Sequence, residues 1–394
     1  MKYQLTVLLL LVFVSLTNAQ KVNTKKAFKH ASTQTQLLLL ETGKTDKGVK
    51  NDLVSPRTIE KEKLKLVRSR DWTSGFFPGV LWLMYEQTKD PKFKEEAQKY
   101  TANLEKEQFN TGTHDLGFII NCSFGNGYRL GENEAYRKVI IEAAKSLSTR
   151  FNPTAGVIRS WDHNRNKWQY PVIIDNMMNL ELLFEATKLT GDSSFYKIAV
   201  THANTTLKNH FRPDYSSFHV VDYDTENGAV RGQATHQGYS DGSAWARGQA
   251  WALYGYTLCY RETKDEAYLK QAEGIADFIL SHKNLPADLV PYWDFNDPAI
   301  PGVPRDASAA AITASALYEL RSYSKNQQTY TAAANKMLKS LTKNYTSNAG
   351  DNYGFILEHS TGHKPVNSEV DVPLNYADYY YLEALLRYEA LKKL

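Results

Sequence analysis

The chain has 394 residues, 47 Lys and Arg against 43 Asp and Glu, and a formal net charge of +4. No basic run exceeds what a solvated helix face carries, so no nucleic-acid partner is expected. Two cysteines are too few for a disulfide-built scaffold, and 10 histidines without an HExxH-like cluster give no reason to expect a metal or other cofactor.

The chain opens like a signal peptide. Lys2 supplies a positive start, Leu5 to Leu16 is a nearly unbroken apolar run too short to span a bilayer, and Thr17-Asn18-Ala19 before Gln20 is a plausible cleavage site. Residues 1–19 are therefore set aside, and an exported protein is expected. No lipobox-like cysteine follows, so no membrane anchor is expected. No Gly/Ser-rich or Pro-rich linker divides residues 20–394, which predicts one domain. Nothing in the sequence sets an oligomeric state.

A helix is predicted over about Thr24–Leu40. After it, one local pattern recurs: a helix-like segment ends in a polar turn, an Asp or Asn follows that can cap the next helix, and an aromatic comes three residues later. The copies are Gln87–Phe93, Leu130–Tyr136, Leu189–Phe195, Glu262–Tyr268 and Ser324–Tyr330. Each reads as an αα-hairpin. Their aromatics lie 43 to 73 residues apart, too irregular for a solenoid but suited to hairpins joined by variable loops. A sixth hairpin follows if the first helix pairs with a last one at about Tyr376–Leu391. The expected fold is all-α, an (α/α)6 barrel with short β-hairpins on one rim, at Val157–Ser160, Phe218–Tyr223 and Leu289–Trp293. Cys122 and Cys259 could pair, but two buried free thiols are the favoured reading.

Two aspartates, Asp115 in Thr113-His114-Asp115-Leu116-Gly117-Phe118 and Asp175 in Ile173-Ile174-Asp175-Asn176-Met177-Met178-Asn179, sit at the edges of apolar runs beside other polar side chains. Carboxylates in such surroundings serve acid–base chemistry on sugars; helix capping is the competing reading. The 25 Tyr, 16 Phe and 7 Trp fit a sugar ligand, whose apolar C–H faces stack on flat rings. The densest segment runs from His236 to Trp251. It begins Gly-rich and is expected to enter a helix near Ser243, offering Gln237, Trp245, Arg247 and Trp251 around a helix N-terminus that suits a carboxylate. Trp72, Trp161 and His219 stand in polar or strand-end settings; for His219 alone a structural role is the simpler reading.

Together, Asp71-Trp72-Thr73-Ser74-Gly75-Phe76-Phe77-Pro78-Gly79, the HDLGF and IIDNMMNLELL segments, HQGYSDGSAWARGQAW and VDVPLNYADYYYLEALL resemble glycoside hydrolase family 88, the unsaturated glucuronyl hydrolases, over essentially the whole chain after residue 19. The WARGQAW ending looks more like this family than like the unsaturated rhamnogalacturonyl hydrolases. One departure is Phe77, where the family often carries Trp; weaker stacking is expected there. The resemblance implies an (α/α)6 barrel, essential aspartates at Asp115 and Asp175, and sugar contacts at Trp72, His114, Trp161, His219, Gln237, Trp245, Arg247 and Trp251. It also implies a periplasmic setting and, as substrate, an oligosaccharide whose non-reducing end is a 4,5-unsaturated uronic acid. Such an enol ether is cleaved by hydration. Asp175, in an apolar setting that raises its pKa, is expected to move the proton, and Asp115 to position the ring. Ser360, Lys364 and Ser368 share a loop with His359 and His363 that could hold a sulfate on the next sugar, as in glycosaminoglycan or ulvan fragments; an ordinary polar loop is as good a reading. The alternatives are an unsaturated galacturonyl or rhamnogalacturonyl hydrolase on pectin fragments, a non-catalytic sugar-binding protein, and an inverting glycosidase on saturated sugars.

Overall fold

The structure is a computed structural model describing residues 21–45 and 52–393. The signal-peptide reading falls outside the described residues. Among them the turn pattern has become a ring of helical hairpins. Helix α1 (Thr24–Thr45) is followed by α2 (Phe76–Thr88) and α3 (Pro91–Ala102), then by a π-helical segment (Gly117–Gly125) that runs into α4 (Asn126–Gly131) and turns into α5 (Glu134–Ser148). The pairs α6 (Asn176–Thr190) with α7 (Ser193–Asn209), α8 (Ala246–Thr263) with α9 (Glu266–Ser281), and α10 (Ala307–Leu320) with α11 (Gln327–Asn344) come next, and α12 (Asn375–Leu391) ends the series.

The turns work as their residue types dictate. Asp90, Asn133, Asp192 and Asp265 each cap the following helix by accepting a backbone N–H two residues on. At the fifth turn Asn326 makes no side-chain cap, and the Ser324 hydroxyl accepts the Asn326 N–H instead. The aromatic of each copy packs back: Tyr136 meets Phe124 edge-on at 5.0 Å, and Tyr268 lies 5.9 Å from Tyr256. The ring closes through α1 and α12. Val22 N–H donates to the Tyr388 hydroxyl at 3.2 Å, and the Thr24 hydroxyl donates to Glu389.

Helices α2, α6, α8, α10 and α12 are buried nearly all round and form the inner ring with the π-helical segment; their partners bury one stripe each and form the outer ring. One apolar core reaches every hairpin. Cys122 and Cys259 are buried free thiols within it. No described helix is long and apolar enough to cross a membrane.

Inner-to-outer turns are short, whereas the outer-to-inner connections are long and carry all the strands described. These are β1 (Leu53–Glu60) with β2 (Lys63–Arg68), β3 (Phe151–Asn152) with β4 (Val157–Ile158), the sheet β5 (Pro171–Ile173), β6 (Val220–Tyr223) and β7 (Val230–Ala234), and β8 (Ser360–His363) with β9 (Ser368–Val372). The pairings are antiparallel; Ile173 faces Val220, and Val220 faces Ala234. Strands therefore gather on one rim, where the inner helices begin.

Two expectations need correction. The segment at Leu289–Trp293 forms only an isolated bridge between Tyr292 and Arg305. The helix expected from Ser243 begins at Ala246, because the Ser243 hydroxyl is held by Asp294 and the Ser240 carbonyl and Trp245 remains extended. The helical run after Asp115 starts as a π-helix.

Candidate active site

A cavity of about 950 Å³ opens at this rim. Its floor comes from the two aspartate segments, which are built to meet. Gly117 has no side chain because Asn179 of α6 lies against it: a Cβ there would stand 2.6 Å from the Asn179 Cα. The Asn179 carbonyl oxygen then accepts the Phe118 N–H at 3.1 Å. The Trp161 loop ties in both segments. The Ser160 carbonyl accepts the His114 N–H at 3.3 Å, and its hydroxyl accepts the Ile173 N–H at 2.9 Å.

Asp175 stands at the head of α6 without capping it, 7% exposed, among the buried side chains of Ile173, Ile174, Met177 and Met178. Burial lifts its carboxyl to about 7, against the pull of Arg247 and with a further push from Asp115. Asp115 accepts the Thr113 hydroxyl at 3.0 Å and lies 3.2 Å from His114 Nε2. Its carboxyl is also raised to about 7, mainly by burial, with the Thr113 hydrogen bond opposing and the Asp71 charge adding.

The neighbouring histidines are neutral. Burial pushes His114 down to about 3 and His219 well below its ordinary value. In His219 the tautomer follows from geometry: Nδ1 accepts backbone N–H groups from both His236 (3.0 Å) and Gln237 (3.1 Å), so the ring proton sits on Nε2. That nitrogen is 3.7 Å from Asp175 Oδ2. His219 thus holds the Gly-rich loop with one edge and offers a donor toward the carboxyl with the other.

Of the residues singled out in the sequence, Asp115, Asp175, Trp72, His114, Trp161, Gln237, Arg247 and Ser368 line the cavity. His219, Trp245 and Trp251 stand behind the wall. The His219 and Trp245 rings are 4.7 Å apart, the Arg247 guanidinium lies 4.4 Å over the Trp245 ring, and Trp251 packs against Phe118 at 5.1 Å. Ser360 is buried in β8, and neither it nor Lys364 lines the cavity, so the three residues of the presumed sulfate loop are not brought together on its wall. Phe77 is wholly buried and meets Tyr100 edge-on at 4.9 Å, so its departure from the family does not touch the site.

Arg247 is more committed than its sequence setting suggests. It pairs with buried Asp306 at 2.9 Å and donates to the carbonyls of Thr361 and Gly362, which leaves only Nε without a partner. Asp175 Oδ2, His219 Nε2, Trp251 Nε1, Trp161 Nε1 and the Tyr376 hydroxyl are likewise buried without a protein partner. Buried polar atoms are normally satisfied, and those of the lining residues Asp175, Trp161, Arg247 and Tyr376 are ones that a polar ligand in the cavity would complete.

Sequence reasoning missed Tyr376, Arg57 and Asp306. Tyr376 lies in the first turn of α12, its ring tilted 37° to that of Trp72 at 5.0 Å; its motif was quoted, but a Tyr among Tyr379, Tyr380 and Tyr381 gave no separate signal. Arg57 of β1 bridges Asp71 at 2.9 Å and Glu369 at 2.5 Å, joining the Trp72 turn to the β8–β9 hairpin. No group of His, Cys, Asp and Glu suited to a metal occurs among the described residues.

A six-hairpin barrel with paired, proton-holding aspartates at its stranded rim defines a glycoside hydrolase. The profile of Glycosyl Hydrolase Family 88 matches residues 49–391, and the chain belongs to that family. An unsaturated glucuronyl hydrolase of Formosa agariphila is 54% identical over 343 residues, 86% of each chain. A crystal structure of an unsaturated glucuronyl hydrolase specific for heparin superposes with a TM-score of 0.88 at 47% identity, covering 93% of this chain and 98% of that one. A mutant of the Streptococcus agalactiae unsaturated glucuronyl hydrolase complexed with dGlcA-GalNAc6S gives a TM-score of 0.78 at 31% identity, covering 93% and 91%.

Proposed function

We propose that the protein removes the terminal 4,5-unsaturated uronic acid from glycosaminoglycan oligosaccharides left by polysaccharide lyases, by hydrating the C4=C5 enol ether, and that Asp175 moves the proton. The observation that carries this assignment is a carboxyl buried at the cavity floor among apolar side chains, which lift it to about 7 and leave an acid form present near neutral pH, with the neutral His219 Nε2 3.7 Å away. Asp175 protonates C4. Positive charge develops at C5, stabilised by the ring oxygen, and water adds there while returning a proton to the Asp175 carboxylate. The C5 hemiketal opens the ring, and C1, then an open-chain hemiacetal, expels the aglycone.

Asp115, held by Thr113 and His114, orients ring hydroxyls. Trp72 over Tyr376 and Trp161 beside His163 offer flat faces for sugar stacking. Gln237 and the remaining N–H of Arg247 face the uronate carboxylate.

The conjugated double bond absorbs in the ultraviolet, and turnover erases that band. Asp175→Asn is expected to abolish the loss of absorbance on a lyase-generated disaccharide while the protein stays folded; retention of most of the activity would remove Asp175 from this role. For location we propose export, to the periplasm or the medium, supported by the charged, apolar and small-residue order of residues 1–19. Fractionation of cells carrying the full chain tests it, and a cytoplasmic signal would reject it.

A further inference from the structure

The charges around the cavity can be followed one by one. Four arginines line it: Arg57, Arg68, Arg70 and Arg247. Arg57 is spent on Asp71 and Glu369, and Arg247 on Asp306. The lining Asp162 is neutralised from outside by Arg150 and Arg159. Asp115 and Asp175 hold protons near neutral pH. Arg68 and Arg70 alone form no ion pair and no side-chain hydrogen bond among the described residues, and both are exposed at the cavity mouth.

Their backbone is not free to wander. They flank Ser69, which is fully buried; its hydroxyl donates to Glu107 at 2.6 Å, and its carbonyl accepts the Ser74 hydroxyl at 2.6 Å. The Arg68 carbonyl accepts the Asp71 N–H at 3.0 Å. Arg68 ends β2, and that bond closes a turn with Ser69 and Arg70 at its centre; the serine is buried while both arginines are exposed and line the cavity. Asp71 and Trp72, the next two residues, line it as well.

We propose that Arg68 and Arg70 form an oxyanion subsite for the aglycone, taking a sulfate ester or a uronate carboxylate on the sugars that follow the unsaturated residue. The inference rests on the hydration reading: C4 and C5 must reach Asp175 on the floor, which leaves the rest of the oligosaccharide pointing to the mouth. Two guanidinium groups with uncommitted donors are the chemistry that recognises an oxyanion bidentately.

The test compares wild type, R68A/R70A and R68K/R70K on three substrates that share an unsaturated uronate. These are an unsulfated disaccharide with N-acetylgalactosamine, its 6-sulfated counterpart, and an unsulfated tetrasaccharide with a uronate as its third sugar. In R68A/R70A, KM for a substrate with an anionic aglycone is expected to rise about tenfold more than KM for the unsulfated disaccharide, whose aglycone is uncharged, with kcat little changed, a gap that narrows in high salt and in the lysine variant. A gap on the sulfated disaccharide alone assigns the site to sulfate; one on the tetrasaccharide alone assigns it to carboxylate. Equal changes on all three substrates, or none, overturn the proposal. Failure of wild type to bleach any of the three overturns the hydration reading and this inference with it, so the two failures are read in different proteins.

Discussion

Asp175 and Asp115 were separable in the sequence only by neighbours: an apolar run for one, a histidine and a threonine for the other. The structure gives them the same poise, about 7, and couples them. Because the Asp115 charge raises Asp175, Asp115→Asn should lower the Asp175 value. The decline of kcat/KM on the alkaline side should then begin at lower pH than in wild type, read from full pH profiles; an unmoved limb would mean the two carboxyls do not sense each other. Stability follows with a definite sign. A carboxyl raised from 3.8 to about 7 favours the fold fully below 3.8, and that contribution is lost as the pH rises through 7. Asp175→Asn should therefore stabilise the protein at pH 8 by about 1–3 kcal/mol, a gain that shrinks toward pH 4 in thermal melts. Arg68 and Arg70 gave no signal in the sequence, since an arginine becomes notable only when every acid near it is found to be taken.

At the scale of elements, turn chemistry was the most legible layer. Four capping side chains and the aromatics that pack back were readable from local spacing alone, because each is satisfied within a few residues. What could not be read depends on distant partners. Ser243 resembles a helix start, but Asp294, 51 residues on, takes its hydroxyl. The π-helical turn after Asp115 has no local code either; such turns are rare and recur at functional sites. Here it is fitted against α6 through Gly117. Gly117→Ala should push it off Asn179, destabilise the protein by about 1–3 kcal/mol, and lower kcat more than a surface Ala control of equal stability. Unchanged kcat would show that Asp115 does not depend on that contact.

Across the whole molecule the two ends of the inner ring have different work. The rim where inner helices start carries the cavity. Toward their other end lies a second cavity of about 550 Å³ lined by charges that satisfy one another. Arg261 pairs with Glu181, Glu262 and Glu319, and Arg387 with Glu319 and Glu383. Breaking such a network leaves half-buried carboxylates without their partner. Arg387→Ala should cost about 1–3 kcal/mol in a denaturant titration and leave KM unaltered; a change in KM would mean the two ends communicate. The hairpin number and the gathering of strands on one rim were legible in the sequence, whereas the β1–β2 and β8–β9 hairpins were not, since their pairing is set only once the ring has closed and the long connections are brought over the rim.

That closure orders events in time. The helix that seals the ring, α12, follows every other described helix in the chain, and it brings Tyr376 to the cavity and Tyr388 to the first helix. Until it docks, the seam stays open and the apolar flanks of α1, α2 and α10 that it covers are exposed. The cavity is thus complete only once α12 is in place, and a chain caught before that step carries an aggregation-prone seam.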